Sequence, residues 1–129
     1  MWDAYHEVAD FLAVYISEAH ATNEWPLGRR VCISQHETLE DRIAAAQAYH
    51  KDMQAKVPLV VDPMNNSFNN TYHAWPERLY IINNGVLDYV ADLYMDQRIP
   101  WLVQVLKYLK DRFPGRPFEF VDITQQSEY

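Results

Sequence analysis

The sequence predicts one mixed α/β domain, and three observations carry that expectation. Two short apolar runs, residues 11–16 and 57–62, bracket a segment with helical periodicity, as in a β-α-β unit. Asn84-Gly85 separates two β-prone runs, and that pair is the strongest short hairpin signal because both turn positions need positive φ. A broad apolar helical face built from Trp101, Leu102, Val105, Leu106, Tyr108 and Leu109 follows. The length, 129 residues with 49% hydrophobic and 14% aromatic content, suits a single folded core.

Taken in order, residues 2–9 read as a helix, with Trp2, Tyr5, Val8 and Ala9 at helical spacing. Residues 11–16 are unbroken apolar, as in a strand buried on both faces. Residues 17–30 are polar, contain Pro26 and Gly28, and read as a loop; residues 31–33 suggest a minor strand. Thr38 and Asp41 fit a capping box, and Leu39, Ile43, Ala46, Tyr49 (or His50) and Met53 predict the apolar stripe of the helix that follows. Pro58 in the next strand suggests a free edge. Residues 63–76 are irregular and Asn-rich, with room for one helical turn at 70–74. The hairpin spans 79–91, Pro100 opens the last helix, Pro114-Gly115 stops it, and residues 118–123 suggest a final strand before a frayed tail.

A β-α-β unit, a hairpin and a closing helix form the thioredoxin arrangement without its first strand. The extra strand and loop before the hairpin are typical of its peroxiredoxin-like branch. Pro76 falls where that class places a cis proline.

The bulk composition narrows the function. Net charge −7 and a pI near 5.1 argue against nucleic-acid and anionic-membrane partners. No apolar run reaches the roughly 18–20 residues that span a bilayer, and the first residues lack the pattern of a signal peptide. A cytoplasmic location is the expectation. The single cysteine, Cys32, excludes an internal disulfide and a CxxC redox pair.

Three polar clusters are candidates for chemistry. Glu18-Ala19-His20 follows the first strand, and strand ends in open α/β sheets are where ligands bind. On an extended backbone Glu18 and His20 project to the same side, where a carboxylate can set an imidazole's tautomer and raise its pKa; the alternative is a solvated loop. Gln35-His36 precedes the capped helix, whose dipole disfavours a cationic imidazole; a purely structural histidine is the alternative. Trp75-Pro76-Glu77-Arg78 enters the hairpin, and Arg78 is suited to a ligand carboxylate or to an ordinary surface ion pair with Glu77 or Glu18. Cys32, in an apolar triplet, reads as a small buried hydrophobe rather than a thiol nucleophile. No zinc spacing is present, and no metal is expected. Asn65-Asn66-Ser67 and Asn69-Asn70-Thr71 match the glycosylation pattern but read as loop residues.

Several of these segments together resemble the iodothyronine deiodinase family: residues 10–20, Glu24-Trp25, Gln35-His36 with residues 39–42, residues 60–65, and residues 72–82. The similarity covers about residues 10–89, and the strings Tyr-Ile-Ser-Glu-Ala-His and Trp-Pro-Glu-Arg-Leu-Tyr are specific in combination. The chain is identified as a non-vertebrate, N-terminally truncated member. The resemblance implies a thioredoxin-fold oxidoreductase that removes iodine from iodothyronine-like or other aromatic substrates, using a selenocysteine or cysteine nucleophile, a thiol reductant and no bound cofactor. It assigns substrate binding and proton movement to Glu18 and His20, active-site membership to His36, and a place beside the pocket to Trp25. Pro76 and Arg78 fall in a matching string and are the further candidates for substrate contact.

The resemblance also implies departures. The family's nucleophile lies on the turn between its first strand and first helix, and Met1 falls within that helix. Strand, turn and nucleophile are therefore expected to be missing, and this chain alone is expected not to catalyse. Either a UGA selenocysteine codon read as a stop or a shortened protein accounts for that. Residues 92–98 replace the family's glycine-rich stretch. A missing strand would leave a slot in the sheet, so the chain is expected to be marginally stable or to form a homodimer across it. The competing expectations are a non-catalytic thioredoxin-like binding module and, more weakly, a one-cysteine peroxidase centred on Cys32.

Overall fold

The computed structural model describes residues 1–27, 32–91 and 101–116. Its elements run α1 (Trp2–Tyr5), β1 (Ala13–Tyr15), α2 (Leu39–Asp52), β2 (Leu59–Val61), α3 (Ser67–Tyr72), β3 (Tyr80–Asn83), β4 (Val86–Val90) and α4 (Trp101–Arg112). The fold is mixed α/β, consistent with the thioredoxin-like class. Among the described residues no helix is long and apolar enough to cross a membrane.

The β-α-β unit is present. β1 lies parallel to β2, with Ala13 opposite Leu59 and Tyr15 opposite Val61, and α2 supplies the crossover that a parallel pair requires. The ladder extends at both ends, where the Ala13 N–H donates to the Pro58 carbonyl (2.9 Å) and the Asp62 N–H to the Tyr15 carbonyl (2.8 Å). β1 is shorter than the apolar run predicts and half-buried rather than covered on both faces.

The α2 capping box forms as the sequence predicts. Thr38 Oγ1 accepts from the Asp41 N–H at 3.1 Å, and the Asp41 carboxylate accepts from the Thr38 N–H at 3.0 Å. The stripe below it does not behave as predicted. Ala46 is buried, but Leu39, Ile43, Tyr49 and Met53 are exposed, and the other buried residue of the helix is Arg42.

A polar anchor turns that face inward. Arg42 Nη1 donates to the carbonyls of Asp62 (2.9 Å) and Pro63 (3.0 Å) and to Asn66 Oδ1 (3.0 Å). The Asp62 carboxylate, also buried, accepts from the Phe68 and Asn69 N–H groups at 2.9 and 3.0 Å. These are among the donors a helix start leaves unsatisfied, so Asp62 caps α3 from β2's end. The helical turn therefore sits at 67–72, earlier than the expected 70–74.

The hairpin β3–β4 is antiparallel, with Asn84 at φ 50° and Gly85 at φ 78°, both in the left-handed region that the Asn-Gly pair tolerates. Asp88 is the extra residue of a bulge, since Ile81 faces Tyr89 while Ile82 faces Leu87. The Trp75–Pro76 peptide before the hairpin is cis.

Tyr5, Ala91, Val105, Leu106 and Leu109 form the buried core, with Phe11, Leu79, Ile81 and Phe113 packed against it. It lies between α1, the hairpin and α4. Among the described residues the strands make two separate two-stranded sheets, β1–β2 and β3–β4.

Three further expectations are corrected or left open. The first helix stops at Tyr5 rather than Ala9, because residues 6–8 form a turn. Residues 32–33 are not a strand and Cys32 is exposed rather than buried. The Ile33 carbonyl is used instead by a loop contact, accepting from the Thr22 N–H at 2.9 Å. Residue 31, residues 92–98 and the strand expected at 118–123 lie outside the described residues.

Candidate functional site

The site is built where β1 ends. Tyr15 is its last residue, and its ring lies 6.1 Å from the ring of Tyr49 on α2 and 5.8 Å from that of His36. The Tyr15 hydroxyl donates to the Glu18 carboxylate. Glu18 Oε1 in turn lies 3.8 Å from His36 Nε2. That distance is too long for a hydrogen bond but short enough for strong electrostatic coupling.

Burial sets the protonation of the group. The His36 side chain is 2% exposed, and neither ring nitrogen has a hydrogen-bond partner. Burial lowers its pKa; nearby Glu18 opposes this, Arg42 reinforces it and Asp41 opposes it. His36 is therefore a neutral imidazole near pH 7, with one donor and one acceptor unused. Burial raises the Tyr15 pKa, as does donation to the Glu18 carboxylate, so the hydroxyl keeps its proton. A tyrosine-held carboxylate beside a neutral, water-excluded imidazole can hold or pass one proton.

The partner of Glu18 differs from the sequence expectation. The backbone bends at Ser17 and again at Ala19–His20, so the two-residue alternation of a strand is lost after β1. Glu18 turns to His36, and exposed His20 packs on Trp25 instead. Their rings are 4.7 Å apart, and His20 Nδ1 is 3.3 Å from the Trp25 carbonyl. Trp25 is 58% exposed, which leaves most of its indole open to solvent. Pro76 and Arg78 are exposed at the cis turn before β3. Among the described contacts neither reaches the Tyr15–Glu18–His36 cluster.

Sequence reasoning missed Tyr15, whose hydroxyl was hidden inside an apolar run; its only signal was the spacing to Glu18. It also missed the work of Gln35. The Gln35 carboxamide accepts from the Glu18 N–H and donates to the Glu18 carbonyl, each at 3.1 Å, and donates to Glu24 Oε2 at 3.1 Å. Among the described residues no group of His, Cys, Asp and Glu is arranged to hold a metal.

The His36 environment makes folding stability depend on pH. The unfolded chain binds the proton near pH 6.5, whereas the folded imidazole binds it only at lower pH. Stability from this residue is thus complete above about pH 6.5 and falls as the pH drops below it. Urea midpoints measured between pH 5 and 8 are expected to decline toward acid, and His36→Asn is expected to flatten that decline. An equal acid slope in the variant would contradict this environment.

Residues 1–113 match the family model described as iodothyronine deiodinase. The chain is 39% identical over 97 residues to a type I iodothyronine deiodinase of Xenopus laevis, covering 75% of this chain and 36% of that protein. It is 41% identical over 86 residues to a thyroxine 5-deiodinase of Ovis aries, covering 66% of this chain and 29% of that protein. It is 46% identical over 84 residues to a thyroxine 5-deiodinase of Sparus aurata, covering 62% of this chain and 30% of that protein. The chain thus spans about a third of the length of the relatives it matches.

Proposed function

The chain belongs to the iodothyronine deiodinase family, and from that premise we propose that it forms the substrate-holding and proton-handling part of a reductive dehalogenase acting on iodothyronine-like aromatic compounds. The Tyr15–Glu18–His36 constellation carries this reading. In such a reaction a C–I bond becomes C–H. A selenol or thiol nucleophile takes the iodine, the ring carbon gains a proton, and a thiol reductant supplies two electrons and leaves as the disulfide, with iodide released. The nucleophile belongs to a segment outside these 129 residues.

His36 is the proton-handling group, with Glu18 as its electrostatic partner and Tyr15 fixing the Glu18 carboxylate. The half-exposed Trp25 face beside His20 offers a stacking surface for an aromatic ring, and Arg78 offers a cation for a ligand carboxylate.

The test is to express the chain together with the in-frame coding sequence upstream of Met1 and to assay iodide release from an iodothyronine with a dithiol reductant. Release that disappears when the upstream Cys or Sec is replaced by Ser supports the proposal. Iodothyronine binding without release would favour the binding module, and release that depends on Cys32 would overturn the assignment of the nucleophile.

A further inference from the structure

Gln35 makes a contact that neither a core residue nor a surface residue needs. Its carboxamide meets both polar groups of a single residue, accepting from the Glu18 N–H and donating to the Glu18 carbonyl at 3.1 Å each. The orientation of the amide follows from this pairing, since only Oε1 can accept and only Nε2 can donate. Nε2 also donates to Glu24 Oε2 at 3.1 Å, and the Gln35 N–H donates to Asn23 Oδ1 at 2.9 Å. One side chain thus replaces the ladder hydrogen bonds that Glu18 loses when the chain leaves β1. It does so from the residue next to His36.

We propose that Gln35 is the positioning residue of the site, holding the Glu18 peptide so that its carboxylate faces His36 and Tyr15 rather than solvent. The inference rests on reading Tyr15–Glu18–His36 as the functional cluster, but its test needs no turnover, so the two fail separately. The Tyr15 hydroxyl holds the carboxylate end of Glu18, but the side chain of Gln35 is what holds its peptide where the backbone bends at 17 and 19–20. The clamp also ties residues 18–24 to the segment leading into α2, so the Trp25 side of the loop and the His36 side move together.

The experiment follows the His36 ring by NMR through a pH titration of this chain, with the resonance assigned from His36→Asn. The charged and titratable groups around that ring are Glu18, Tyr15, Asp41 and Arg42. Gln35→Met keeps the side chain's length but removes donor and acceptor. It is expected to shift the His36 midpoint to lower pH, because the Glu18 carboxylate that favours the protonated ring swings away. Gln35→Leu likewise removes the acceptor and both Nε2 donations without adding a charge, and is expected to shift it in the same direction. In a Glu18→Gln background, Gln35→Met is expected to produce no further shift, because there is no carboxylate left to misplace. An unchanged midpoint in Gln35→Met would overturn the proposal and reduce Gln35 to a loop brace, as would an equal shift in the Glu18→Gln background. Failure of both Gln35 variants to fold would do the same.

Discussion

On the proposed dehalogenase reading, replacing His36 with asparagine in a protein that carries the upstream segment is expected to lower turnover by about 10²- to 10⁴-fold, the range that one positioned acid–base group contributes. The argument starts from burial. A residue that is 2% exposed with two unpartnered ring nitrogens is not satisfied by the fold. An unsatisfied buried polar group is costly to keep, so its retention calls for an explanation beyond packing. Asparagine preserves one donor and one acceptor but cannot be protonated near neutral pH, so it separates hydrogen bonding from proton handling. Glu18→Gln is expected to lose less, since it changes the partner rather than the proton carrier. The turnover assay against pH decides the matter: the variant should lose the limb of the profile that His36 titration produces. A drop smaller than about tenfold would remove His36 from the chemistry.

Arg42→Met is expected to destabilise the chain by about 2–4 kcal/mol, measured as a fall in the urea midpoint. Three acceptors lose a common donor, namely the carbonyls of Asp62 and Pro63 and Asn66 Oδ1. The buried Asp62 carbonyl left without a partner costs about 1–3 kcal/mol, the part-buried Pro63 and Asn66 acceptors cost less, and part of this is recovered because a buried cation no longer has to be desolvated. The loss spreads beyond Arg42, because the same turn carries Asp62, whose carboxylate caps α3. Arg42→Lys is expected to recover part of the loss. A lysine ammonium carries three hydrogens on one nitrogen, against the two that Nη1 shares among its three acceptors, but on a shorter reach. A Met variant within 0.5 kcal/mol of the parent, the usual scatter of surface substitutions, would show that the guanidinium is dispensable.

The features that were legible in the sequence are those decided by neighbours along the chain. Asn84-Gly85 announces the hairpin because few other pairs accept two positive φ angles, and the turn forms there. Thr38 and Asp41 announce the start of α2 because a capping box is complete within four residues. Pro76 was placed in a cis turn by resemblance, and it occupies one. What was not legible depends on residues far apart in sequence. Leu39, Ile43, Tyr49 and Met53 have the spacing of a core stripe, but the buried positions of α2 are Ala46 and Arg42, and the reach of Arg42 to the turn at 62–66 is not something spacing along the helix foretells. Glu18 and His20 have the spacing of a strand face, but the strand ends first, and the imidazole that meets Glu18 comes from the segment leading into α2. Tyr15 was hidden by composition. In an apolar run its ring counts as hydrophobic and its hydroxyl goes unnoticed, although the hydroxyl is what holds the carboxylate.

The outward-facing side of α2 has a consequence for handling the protein in solution. Leu39 and Ile43 are neighbours one helical turn apart, and with Met53 at the helix end they leave apolar surface exposed. What keeps two such surfaces from adhering is mutual repulsion between molecules carrying a formal charge of −7. That repulsion vanishes near the pI of about 5.1 and is screened by salt within roughly 10 Å at 0.1 M. Mildly alkaline, low-salt buffer is its natural storage medium, and turbidity on acidification marks the loss of that barrier.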